Sequence, residues 1–285
     1  MRDFGGGGLD ATRPADWWPR NAAELEALQI WLAGRAARVS AWAPDPAHRL
    51  RVAGVFAATP RHRSGIGGAD DEAFVGVAVF ELAIADDPGV AGDPGVADGA
   101  GVARGAGGAG GAGGAGLAEF GLAVEPGESV VIQDRFHAGY AAGLLALREG
   151  RVLERAVRAL RHQPDVLLIN ATGRDHPRRA GLALHLGAAC DLPSVGVTDR
   201  PLVADGPLPG PAQGDAAELR LDGELLGYRL RTQTGTRPVV VHAGWRVDAG
   251  TARDVVLALA RGSRTPAPLR EARRLARTRR AGLNG

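Results

Sequence analysis

The stretch from 165 to 202, DVLLINATGRDHPRRAGLALHLGAACDLPSVGVTDRPL, limits what this chain can fold into more than any other. Val166-Leu167-Leu168-Ile169 is short, branched and apolar and stops at Asn170, the pattern of a strand covered on both faces of a sheet. A turn, Ala171-Thr172-Gly173, follows, and His176-Pro177-Arg178-Arg179 then opens an apolar helical run that ends at Cys190. Asp191-Leu192-Pro193 leads into a second short strand, Ser194-Val195-Gly196-Val197. Strand, loop, helix, strand is a βαβ unit, and the sites of such sheets lie beyond the strand ends, here at Asn170 and Thr198.

The flanking sequence supplies more strands and helices. Residues 1–20, Gly-rich with Trp and Pro, are expected to be a flexible leader. Residues 21–39 predict a helix with Asn21 as N-cap, Glu24 completing the capping box, and Leu25, Leu28, Ile30, Leu32 and Ala36 on its apolar face. Arg51–Ala58 and Phe74–Leu82 predict a strand and its hairpin neighbour, and Ser129–Ile132 a third strand. A helix is expected to follow Gly143 and reach His162. Gly223–Leu230 and Pro238–His242 predict two further strands, with helices over Ala249–Ala260 and along the basic tail from Arg261 to Arg280. Residues 86–116 form a Gly/Ala/Asp run that cannot bury enough apolar area to offset its chain entropy and is expected to be a disordered surface loop. Strands first, then alternating strands and helices, imply one α/β domain over 21–280 with a mixed sheet, interrupted by that loop.

Composition excludes several classes. One cysteine, Cys190, rules out an internal disulfide framework, suits a reducing cytoplasm, and sits where a buried structural thiol is expected. No apolar run is long enough to span a membrane, and the start of the chain lacks a secretory pattern. The net charge is only +2, but the chain contains no Lys, so every fixed side-chain cation is a guanidinium. Arg270, Arg273, Arg274, Arg277, Arg279 and Arg280 cluster near the end of the chain, either as a solvated helix or as a contact for nucleic-acid phosphates.

The blocks LRVAGVFAAT, GYAAGLLALREG, DVLLINATGRDHPRRAGLALHLGAACDLPSVGVTDRPL and RPVVVHAGWRVD resemble, in order and spacing, those of endonuclease V, the deoxyinosine-directed repair nuclease family. The resemblance runs from about Asn21 to about Arg277, and HPRR-x-GLA-x-HLG with DLP-x-x-GV is its most specific part. It implies a ribonuclease H-like fold, a mixed central sheet flanked by helices. It also implies strand-end carboxylates that bind Mg²⁺, which activates water to cut a phosphodiester of DNA or RNA near a hypoxanthine base. A monomer with no membrane association is expected.

Position by position, the implied catalytic set is altered. The family's first-strand Asp falls on Phe56, its strand-end Asp on Asn170, its Lys on Asp199 and its C-terminal His on Trp245; only Glu149 keeps the family's residue. Hard divalent cations need oxygen ligands, so Glu149 is the one metal ligand left by that comparison. Tyr140 matches the family's duplex-wedging aromatic, although the prolines that stiffen it are Gly139 and Ala142 here, and Gly143 allows close backbone approach. His176, Arg178 and Arg179 are retained, and at the start of a helix they would suit a phosphate. The expectation is a family member impaired or inactive in cleavage that keeps nucleic-acid binding. The alternative is an active metal-dependent endonuclease whose site is rebuilt from Asp134, Asp175 or Asp199.

Overall fold

A computed structural model gives the fold of residues 16–45, 48–60, 67–83 and 123–282. The Gly/Ala-rich run at 86–116 and most of the N-terminal leader lie outside the described residues. Strand β1 (Leu50–Ala58) pairs antiparallel with β2 (Glu72–Ala83), which pairs antiparallel with β3 (Ala123–Arg135). On its other side β1 runs parallel to β4 (Val166–Ile169), and β4 runs parallel to β5 (Ser194–Thr198). Three antiparallel strands, β6 (Ala216–Leu221), β7 (Glu224–Leu230) and β8 (Val239–Ala243), complete an eight-stranded sheet of order β3-β2-β1-β4-β5-β8-β7-β6. This is the expected mixed sheet. β6 was not anticipated, because only Ala217 and Leu219 alternate inward along a short polar edge.

Successive side chains of a strand point to opposite faces, and β4 is buried on both. Leu167 and Ile169 join Ala53 and Val55 in a core with α2 (Leu145–Arg158) and α3 (Leu182–Cys190). Val166 and Leu168 join Val52 in a second core with α4 (Ala249–Leu259) and α5 (Ala267–Ala281). Helix α5 lies almost on the strands: a Cβ at Gly54 would meet the Pro268 carbonyl oxygen at 2.3 Å, and one at Gly76 the Ala272 oxygen at 2.2 Å. Those two glycines therefore seat the basic helix on β1 and β2.

Helix α1 (Ala22–Ala36) carries the expected Asn21 N-cap, but Glu24 reaches one residue past it to Arg20 instead of closing a full capping box. The Asn21 Oδ1 accepts from the Glu24 N–H at 3.0 Å, and Glu24 Oε2 accepts from the Arg20 N–H at 3.1 Å. Leu25, Leu28 and Leu32 are buried, but Ile30 is 63% exposed, and Gln29 is the residue buried beside the leucines. Trp17 and Trp18, at the end of the expected leader, dock on the domain: Trp18 stacks on His185 at 4.5 Å, and its Nε1 donates to Glu154 at 2.5 Å.

Two helix boundaries differ from expectation. Helix α2 ends at Arg158, short of His162. Helix α3 begins only at Leu182, with Gly181 as its N-cap, so His176-Pro177-Arg178-Arg179 is not its first turn. Arg179 has φ 57°, a left-handed backbone that a right-handed helix cannot include.

Candidate functional site: the strand ends of β1 and β4

The register Val55↔Ile169 of the parallel pair makes Phe56 and Asn170 the next residues on adjacent strands. They stand side by side where the strands leave the sheet. Phe56 is half-buried against Ala58, Phe74 and Ala276, and the Arg273 guanidinium lies over its ring, 4.9 Å from the centroid. Asn170 is exposed, and its side-chain amide has no hydrogen-bond partner among the described residues.

On the α2 side these residues wall a cleft of about 190 Å³ shared with Glu149 and Tyr140, over an apolar floor that includes Val55, Leu153 and Ile169. Glu149 is half-buried and makes no hydrogen bond or ion pair with any described residue. Burial pushes its carboxyl up to about 7, against the opposing pull of the neighbouring Arg148 charge. A carboxylate without donors, facing a cleft, is poised to change charge near neutral pH.

The loop that presents Tyr140 is fastened by charge. Arg148 and Asp71 form an ion pair at 3.3 Å with side chains only 3% exposed. The Arg148 guanidinium also donates to the Gly68 and Ala138 carbonyls at 2.7 and 2.9 Å and stacks over Phe136 at 4.1 Å. The Tyr140 N–H donates to the Gly67 carbonyl at 3.1 Å, and the side chain stays 46% exposed.

His176, Arg178 and Arg179 are engaged elsewhere than at a helix terminus. The Gly143 carbonyl, on a residue with φ 75°, accepts from Gln29 Nε2 at 3.3 Å, from Arg178 at 3.3 Å and from His176 Nε2 at 3.1 Å. His176 is buried, which lowers its imidazole pKa and favours the neutral ring. Arg178 donates to Gln29 Oε1 at 2.6 Å, and Arg179 pairs with Asp222 at 2.9 Å. His176, Arg178 and Arg179 thus brace the Gly143 turn and the β6–β7 hairpin.

On the α5 side, Phe56 and Asn170 also wall a notch of about 30 Å³ with Thr198, Asp199, Arg264 and Arg273. Arg264 binds Asp199 at 2.7 Å and the Arg237 and Pro238 carbonyls at 2.8 and 3.1 Å, and its hydrogen bond holds the Asp199 carboxyl below its ordinary range. Trp245 is not brought to either cleft. It is buried between α1 and α3 against Leu32, Leu184 and Ala188, and its backbone N–H donates to Ser194 Oγ at 2.9 Å.

A model of the endonuclease V family matches residues 117–274 of the chain. An endonuclease V of Nocardia farcinica is 45% identical over 154 residues, 54% of this chain. The chain belongs to the endonuclease V family. Matched segments span from 59% to 68% of the length of the curated endonuclease V relatives. The crystal structure of the Streptomyces avermitilis endonuclease V superposes with a TM-score of 0.70 at 28% identity, covering 94% of this chain and 96% of that one. A Ciona intestinalis endonuclease V, crystallised with a 24mer DNA containing an inosine followed by a ribo-adenosine, shares the fold at a TM-score of 0.62 and 17% identity over 92% of this chain. The domain is therefore the ribonuclease H-like fold of endonuclease V.

Set in that family, the donor inventory of the site is short. The larger cleft offers one carboxylate, Glu149, and the Asn170 amide. The described residues contain no group of three His, Cys, Asp or Glu arranged to hold a metal ion. Of the other acids considered from the sequence, Asp134 pairs with Arg155 and Asp199 with Arg264. Asp175 is buried and accepts from the Leu202, Val203 and Ala204 N–H groups. Sequence reasoning missed Arg264, which sits in a loop without periodic pattern, and it missed that the fold buries Asp175 beside the His242 ring, 3.4 Å away.

Proposed function

We propose that this endonuclease V family member binds nucleic acid, DNA or RNA, at the β1–β4 strand ends and does not cut it by the family's metal-dependent route. One observation carries the reading: Phe56 and Asn170 stand together at the strand ends, leaving Glu149 as the one carboxylate lining the cleft. A hard divalent ion requires several anionic oxygens, and two unit charges 4 Å apart interact by ~4 kcal/mol at an effective dielectric of ~20. A site short of two such anions does not fit Mg²⁺, and the Phe56 ring adds no donor atom. Binding is supported by the kept fold, by the exposed Tyr140 at the cleft, and by the inosine-containing DNA held by the Ciona protein.

A remodelled nuclease is the second reading, favoured by Asp199, which lines the notch beside Asn170. Its ion pair with Arg264 at 2.7 Å opposes that role. Deoxyinosine-containing and plain duplexes, incubated with the protein in Mg²⁺ and in Mn²⁺ and followed for both mobility shift and strand scission, separate the two readings. Retardation without scission is expected. Metal-dependent scission that disappears in Glu149→Ala overturns the first reading.

A further inference from the structure

The α5 side of the strand ends differs in charge from the α2 side. Arg273 sits over the Phe56 ring at 4.9 Å and makes no hydrogen bond or ion pair with any described residue. The acid nearest in influence, Asp199, is held by Arg264 at 2.7 Å and acts on Arg273 only through space, without an ion pair. Arg273 thus leaves one guanidinium without a hydrogen-bond or ion-pair partner in a notch that is also walled by Thr198 and by Asn170, whose amide is likewise unpartnered. Its position follows from the backbone: Gly76, the cross-strand partner of Phe56, admits the Ala272 carbonyl at 2.2 Å from where a Cβ would stand, which sets the next residue over the ring.

Burial and the nearby Arg277 and Arg264 charges disfavour that positive charge, Asp199 offsets them only in part, and a bound anion would add to the offset. Arg270 and Arg277 lie at i−3 and i+4 from Arg273 and continue its face of the helix. Arg277 is exposed and has no partner among the described residues, and Arg270 donates only to the Thr265 carbonyl. A guanidinium is a planar fork of donors matched to phosphate oxygens.

Resting on the nucleic-acid reading above, we propose that Arg273 seats a phosphate of a nucleic-acid strand at the Phe56–Asn170 strand ends without a metal ion. Arg277 and Arg270 extend the seat along α5. The cation at these strand ends is then a side chain, and the Phe56 ring is the surface on which it rests.

Arginine Nε–H resonances of the full chain, recorded in EDTA while inorganic phosphate or a short oligodeoxynucleotide is added, test this. The Arg273 resonance, assigned by its loss in Arg273→Gln, should shift and saturate with both probes, and added Mg²⁺ should not tighten either. Arg273→Gln should weaken the oligonucleotide about tenfold or more, the worth of a charge-assisted hydrogen-bond pair. Phe56→Asp should weaken it too, by giving Arg273 an internal carboxylate, and the melting temperatures of both variants report whether the fold is kept. Oligonucleotide binding unchanged in Arg273→Gln overturns the seat while leaving nucleic-acid binding intact. A response that requires Mg²⁺, or one to phosphate alone, also overturns it, and no binding of any oligonucleotide removes the underlying reading instead.

Discussion

Asp175 and Glu149 are carboxylates near the strand ends of one sheet, and their surroundings treat them in opposite ways. Asp175 is 1% exposed and accepts three backbone N–H groups at 2.7 to 2.8 Å, from Leu202, Val203 and Ala204, with the His242 ring 3.4 Å away. Glu149 is half-buried, has no such donors, and lines an open cleft. Buried charge is tolerated when donors surround it, and otherwise the group shifts toward its neutral form. The first carboxylate therefore fixes the 202–204 turn, while the second is free to meet a ligand. Burial alone does not mark a functional acid; burial without partners beside a cleft does.

Replacing each acid tests that contrast, and the largest effect belongs to Asp175. Asp175→Ala leaves three N–H donors without their carboxylate, that of buried Ala204 among them, and should cost about 3 kcal/mol, read from denaturant unfolding. A loss below ~1 kcal/mol would mean the turn is held some other way and would break the comparison. Glu149 should behave in the reverse sense. Its folded pKa of about 7 lies above its ordinary 4.5, so relative to Glu149→Gln its contribution is fully present below pH 4.5 and lost as pH rises through 7. Glu149→Gln should therefore gain about 1–3 kcal/mol over the parent across that window, with no such gain under acidic conditions. Parallel stability curves for the two proteins would show that Glu149 has a partner after all. The smallest effect belongs to the Asp199–Arg264 pair, whose carboxylate is 69% exposed. Arg264→Gln should change stability by no more than ~1 kcal/mol, and by less at high salt. A larger, salt-insensitive loss would mark Asp199 as built in like Asp175.

Much of the fold was legible because local pattern and burial agree. The apolar tetrapeptide at Val166 is a strand buried on both faces, and Asn21 caps a helix as its position implies. The juxtaposition of Phe56 with Asn170 was implied by the resemblance and is present in the register of β1 and β4. Trp245, expected at the same site, is instead core beneath α1, since only the packing of α1 on α3 decides where that side chain turns. HPRR read as a helix start because Pro at a first turn is common, but the left-handed backbone at Arg179 postpones α3 to Leu182. Ile30 fitted an apolar list but not the buried stripe of Leu25, Leu28 and Leu32, and it points to solvent.

By itself the sequence determined that this chain would bury β4 on both faces, would carry no lysine, and would end its β1 and β4 core runs at Phe56 and Asn170. Those are properties of residue type and spacing, which no packing can alter. Tertiary structure alone decided which charges meet. Arg148 closes on Asp71 and Arg264 on Asp199, and Arg273 comes to rest over Phe56 because two glycines let α5 lie against the strands. Each partner comes from a distant part of the chain, and side-chain charges act only over the few ångströms that the fold closes between them.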